Sequence, residues 1–172
     1  MAIRIFISAL SLMASLIWQT ATAQATIAVR HDYEPAIIEE QARYYTDIFG
    51  LDSNVHILIS FQHDLPEGVA GYTRYHDARK FGGGHQLHIT INRKAGRSHQ
   101  LKTLAHEIVH ARQFVEGKLV QCDHRHFSWS EDICFDISHI AYHDRPWEKE
   151  AEEVGAQLHE MYRQQSVTLT DY

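Results

Sequence analysis

The stretch His106-Glu107-Ile108-Val109-His110 constrains this chain more than any other. On an α-helix, residues four apart lie on one face, so His106 and His110 can present imidazole nitrogens to one metal ion. Glu107 stands about 100° round the same helix, within reach of a water at that ion. Two ligands do not complete a catalytic site. A third must come from another element, and a fourth position must stay open for water.

The surroundings place the motif inside a helix. Ser98 can cap its start and Gly117 can stop it. Between them Leu101, Leu104, Ala105, Ile108, Val109 and Phe114 recur at helical spacing. H-E-x-x-H on such a helix is the pattern of zinc hydrolases. Histidine is common in this chain, at 14 of 172 residues, so the competing reading is two surface histidines beside a helical Glu.

The N-terminus reads as a signal peptide over residues 1–23. Arg4 precedes an apolar run from Ile5 to Trp18, and Ala21-Thr22-Ala23 forms a small-x-small cleavage site. Ala23-Gln24-Ala25 is an alternative cleavage site, and an uncleaved anchor is the alternative fate. The run is short for a membrane span and no second one follows, so no stable membrane insertion is expected after cleavage. Residues 24–172 suit one domain with one core. The expected location is secreted or periplasmic. Net charge is −6 with no basic cluster, so nucleic acid is not an expected partner. An exported chain meets an oxidising compartment, and Cys122 and Cys134 are then read as one disulfide.

Asp32 to Gly50 reads as a first helix, capped by Asp32. Val55–Phe61 and Gln86–Asn92 alternate as strands, and Val69–Tyr75 is a third. His85 and His88 are expected to be solvated or at an edge. Leu119–Gln121 suggests a short strand, Phe135–Tyr142 a helix, and Trp147–Gln164 the last helix, with a frayed tail from Ser166 to Tyr172. The fold class is α+β, a zincin-like core. A small, mostly antiparallel sheet would carry the H-E-x-x-H helix and a C-terminal ligand-bearing helix. In such a core the edge strand before the motif helix lines the substrate cleft, and Gln86–Asn92 would be that strand.

Two regions can supply the third ligand. Gln113 and Glu116 stand where an extended metzincin motif needs Gly and His, which excludes that class. The last helix offers Glu148, whose neighbours Ala151 and Gly155 are small enough for close approach to the motif helix. Glu152, one turn on, could support a ligating histidine. The other region is His124 or His126: His124-Arg125-His126-Phe127 is similar to the H-x-x-F run of SprT-like zinc proteases, which use three histidines.

The run from His106 to Gln113, then Trp129, then Arg145-Pro146-Trp147-Glu148-Lys149-Glu150-Ala151, resembles small gluzincin-type zinc metallopeptidases. These carry H-E-[LIV]-[VT]-H-x-x-Q followed by a P-[WFLY]-E-x-E-A helix. The E-x-E-A-E run is also similar to the E-x-E-A-D run of membrane-associated gluzincins, in which the first Glu binds zinc; Glu152 replaces the final Asp. The resemblance covers roughly residues 101–158. It implies hydrolase chemistry and a Zn2+ cofactor held by His106, His110 and Glu148, acting on a peptide or protein substrate. Glu107 would be the general base. Tyr142 and His143 are the preferred oxyanion donors, with His139 and Arg145 as alternatives. The rival functions are a non-catalytic exported zinc-binding protein and a structural zincin-like module.

Overall fold

A computed structural model of the chain describes residues 23–32, 34–78, 82–130 and 133–170, with side chains to 166. The expected signal peptide, except Ala23, lies outside these residues.

The fold is α+β. Strand β1 (Thr26–Arg30) leads into helix α1 (Pro35–Ile48), then β2 (Val55–Gln62), β3 (Gly71–Asp77) and β4 (His85–Asn92). Helix α2 (Arg97–Val115) carries the motif. Three short strands follow: β5 (Leu119–Gln121), β6 (His126–Trp129) and β7 (Phe135–Asp136). A 3-10 turn over Tyr142–Asp144 enters α3 (Pro146–Thr170). The two sheets have orders β1-β2-β4-β3 and β5-β6-β7. The pairings β3–β4, β5–β6 and β6–β7 are antiparallel, and β1–β2 and β2–β4 are parallel.

The alternation seen in the sequence puts Ile57, Ile59, Phe61, Leu87, Ile89 and Ile91 on one face of the central pair. That face packs with Leu104, Ala105, Ile108 and Ala111 of α2 and Ile38, Ala42 and Tyr45 of α1 into one core. Gly50 and Gly117 stop α1 and α2 at φ +63° and +69°, conformations that a Cβ disfavours. Strand β1 was not legible in the pattern; it pairs in parallel with β2 and extends the sheet by one strand.

Several expectations are corrected. Gln86–Asn92 is internal, not an edge: β3 pairs along its open side and becomes the edge strand beside α2. His85 is buried at the β4 start, with its Nδ1 2.8 Å from the Tyr75 hydroxyl, while His88 is half-buried against Ser60 at 2.8 Å. Phe135–Tyr142 is not a helix. Phe135 pairs with Phe127, and the Asp136 carboxylate accepts the Ser138 N–H at 2.8 Å, a local turn that competes with helix formation. Gly96, not Ser98, takes the α2 cap position, with its carbonyl accepting from His99 and Gln100 N–H. Asp32 makes no α1 cap; its carboxylate binds Arg97 at 2.9 Å and ties the approach to α1 to the start of α2. Helix α3 runs on to Thr170, through residues of the tail expected to fray from Ser166 to Tyr172.

Cys122 and Cys134 form a disulfide across the small second sheet. Phe127, Trp129 and Phe135 of that sheet surround the Trp147 ring, at 5.6, 6.3 and 6.0 Å between centroids. Trp147 is buried at the first turn of α3, one residue before Glu148.

Candidate metal centre

The motif helix packs against α3 at very short range. A Cβ on Gly155 would lie 3.0 Å from both the Cα and the N of His106. Ala151, one turn earlier, is fully buried. These are the small residues that the sequence marked for close approach, and they bring the first turn of α3 alongside His106 and His110.

Three donor atoms converge there. His106 Nε2 and His110 Nε2 are 3.1 Å apart, and Glu148 Oε2 lies 3.3 and 3.2 Å from them. His110 and Glu148 are buried, and His106 is nearly so. A tetrahedral ion bound at about 2.0–2.1 Å separates its ligand atoms by about 3.3 Å, so the spacing fits one small ion. Two imidazoles and one carboxylate suit a transition metal or zinc better than calcium or magnesium, which prefer all-oxygen shells. The group can hold a metal ion.

Gln113 sets the tautomer of His110. Its amide nitrogen has two acceptors, the Trp147 carbonyl at 3.0 Å and Glu150 Oε2 at 2.8 Å. The amide oxygen therefore faces His110 Nδ1, at 2.8 Å, and can only accept. Nδ1 carries the proton, and the Nε2 lone pair points at the cluster. Burial alone would raise the Glu148 carboxyl, but His106 and His110 hold it well below the usual carboxylate range. It is therefore anionic, as a ligand must be. Glu152 Oε2 stands 3.8 Å from His106 Nδ1 at the exposed rim.

Glu107 is buried beside this cluster, and the Thr73 hydroxyl of edge strand β3 donates to its Oε2 at 2.8 Å. Burial pushes its carboxyl up, against the opposing pull of His110, His106 and Thr73. Gly71 leaves the space over the carboxylate open: a Cβ there would come within 2.6 Å of the Thr103 methyl and 3.1 Å of Glu107 Oε1. A cleft of about 570 Å³ opens over these groups, with Gly71, Thr103, His106, Glu107 and Tyr142 in its wall.

Of the two preferred oxyanion donors, only Tyr142 reaches the cleft. Tyr142 is 58% exposed, and its phenol is pushed up by the burial of its inner part and then by its hydrogen bond to Glu148, so it keeps its proton. The His143 side chain is 83% exposed and stands 3.7 Å from Asp144, away from the cleft wall. The three-histidine alternative does not assemble: the His124 side chain is 82% exposed, and His126 Nδ1 lies 2.9 Å from Asp123. Neither joins the donor cluster among the described residues. Sequence reasoning missed Thr73, Gly71 and the role of Gln113. Only Gln113 left a local signal, three residues after His110 on the same helical face.

Comparison of the chain with family models, with curated proteins and with solved structures finds no match.

Proposed function

We propose that this chain is an exported zinc-dependent metallopeptidase, with His106, His110 and Glu148 as ligands and Glu107 as general base. The observation that carries the reading is the setting of Glu107. It is a buried carboxylate in the wall of a cleft, held by Thr73 next to three convergent donors. A zinc carrier or a structural module needs the donors but has no use for this acid.

When bound, the ion acts as a Lewis acid toward a peptide carbonyl and lowers the pKa of water. The chain's own groups do the rest. Glu107 accepts a proton from the attacking water and returns it to the leaving amine. Its raised pKa suits a group that must hold the proton between those steps. Thr73 fixes the rotamer of that carboxylate. Tyr142, protonated at the cleft wall, can turn its one O–H from Glu148 to the developing oxyanion. The segment from Gly68 to Gly71, which enters edge strand β3, offers backbone groups along one side of the cleft, where an extended peptide can pair.

Purified protein should contain one zinc per chain by elemental analysis and should hydrolyse peptides. Glu107→Gln should keep the zinc and lose hydrolysis. Tyr142→Phe should keep the zinc and lose on the order of 10²-fold in kcat. A zinc-loaded wild-type protein that cleaves no peptide, or a Glu107→Gln variant with undiminished hydrolysis, refutes the peptidase reading. Export is supported by the apolar segment before Ala23 and by the disulfide. Mass spectrometry of protein recovered outside the cytoplasm should find a chain beginning near Gln24 or Thr26.

A further inference from the structure

The cleft does not end at the donor cluster. It continues along the antiparallel groove between α2 and α3, back past Thr103, Lys102 and His99 on one wall and on past Ala156, His159 and Arg163 on the other. His159 is the feature that stands out. It is only 6% exposed, and its Nδ1 is enclosed without a hydrogen-bond partner. The imidazole therefore meets the cleft through Nε2, which has no protein partner among the described residues. Burial, then the charges of Lys102 and Arg163, push its pKa down, so the ring is neutral at pH 7. With nothing to accept a proton from Nδ1, the single N–H belongs on Nε2 and points into the groove.

Two cations flank that donor. No carboxylate lies within ion-pair distance of Lys102 among the described residues. Glu160, an acid of α3 in the same wall, is already engaged by Arg163 Nη1 and by Gln164 Nε2, both at 3.1 Å. That leaves the remaining Arg163 N–H groups and the whole Lys102 ammonium for a ligand. Glu152 is 85% exposed and lies nearer the donor cluster, against His106.

We propose that this end of the cleft binds a carboxylate of the substrate, between the Lys102 ammonium, the His159 Nε2–H and the Arg163 guanidinium. The inference rests on the peptidase reading for its substrate class. Lys102 lies one helical turn, about 6 Å, before His106. An extended peptide advances about 3.3 Å per residue, so the carboxylate belongs to a residue about two positions from the bond at the metal. It is either a C-terminal carboxylate or an Asp or Glu side chain.

The test uses the full-length, zinc-loaded Glu107→Gln variant, which binds without turnover, and three short peptides sharing one apolar core. The first has a free C-terminal carboxylate and no acidic side chain. The second is C-terminally amidated and has one Glu. The third is amidated and has no acid. Binding is followed by NMR through the imidazole signals of His159, assigned with His159→Gln. One of the carboxylate peptides should bind about tenfold more tightly than the neutral peptide, the size expected for a charge-assisted contact, and which one does identifies the source. Lys102→Met, a change at an exposed stem, should abolish that preference and leave binding of the neutral peptide unchanged. Equal binding of all three, no binding of any, or a preference that survives Lys102→Met overturns the proposal. Peptide hydrolysis by wild type is a separate measurement. Loss of the peptidase reading would appear there, and loss of the carboxylate site in the binding series.

Discussion

Gln113 accepts the Nδ1 proton of His110 at 2.8 Å and in the same amide plane donates to the backbone of Trp147. One side chain thus fixes the tautomer of a donor on α2 and the position of the residue preceding the donor on α3. Gln113→Leu removes both contacts at similar volume. Metal affinity should fall by about 10–100-fold, the usual effect of losing a partner behind a ligating histidine. Competition with a chromophoric chelator measures it, and unchanged affinity would show that His110 needs no such support.

Gly155 faces the backbone of Ala105 and His106, yet it should control the site. A Cβ at 3.0 Å from the His106 backbone must push α2 and α3 apart, and a branched side chain pushes further. Gly155→Val is expected to cost about 1–3 kcal/mol through overpacking and to weaken metal binding with it. Thermal unfolding with and without added zinc separates the two effects. A variant with normal zinc-induced stabilisation would mean that the helices tolerate the displacement.

The disulfide closes a loop with a sequence separation of 12. In the chain-entropy model such a bridge stabilises by about 3 kcal/mol. At about 2–4 °C per kcal/mol for a chain of this size, the Cys122→Ser, Cys134→Ser double variant should melt roughly 10 °C lower. Thiol titration of unreduced, denatured wild type should find no free cysteine.

Glu150 gives the fold an acid-sensitive joint. Burial would raise its carboxyl, but Lys118 at 2.6 Å, Gln113 at 2.8 Å and Arg112 at 3.0 Å together hold it below its ordinary value. A carboxyl depressed by folding stabilises the folded state above its unfolded pKa, and that contribution is lost as pH falls through the folded one. Stability of the wild type should therefore drop on acidification more steeply than that of Glu150→Gln, which should start lower at pH 7. Parallel urea midpoints from pH 7 to pH 3 would contradict this.

The donor residues were legible because their relation is local geometry repeated twice. His106 and His110 follow from helical period, and Glu148 from two small residues on the face of the next long helix. The groups around them were not legible. Thr73 meets Glu107 only because β4 inserts between β2 and β3 and leaves β3 at the edge beside α2, a choice made by tertiary packing. His143 looked equivalent to its neighbour Tyr142 in sequence. The 3-10 turn aims one side chain into the cleft and the other at solvent. Phe135–Tyr142 failed as a helix because a short apolar run does not distinguish helix from strand, and the pairing with Phe127 decides it.

The loop that the disulfide closes lies wholly inside the loop between His110 and Glu148, whose sequence separation is 38. These are nested closures of one chain. Bridging the inner loop shortens the outer one by only about a third, which lowers its closure entropy by about 0.3 kcal/mol. Closing the disulfide and loading an ion onto the donor cluster are therefore expected to be almost independent events. Each can come first, and neither has to wait for the other to make the remaining closure favourable.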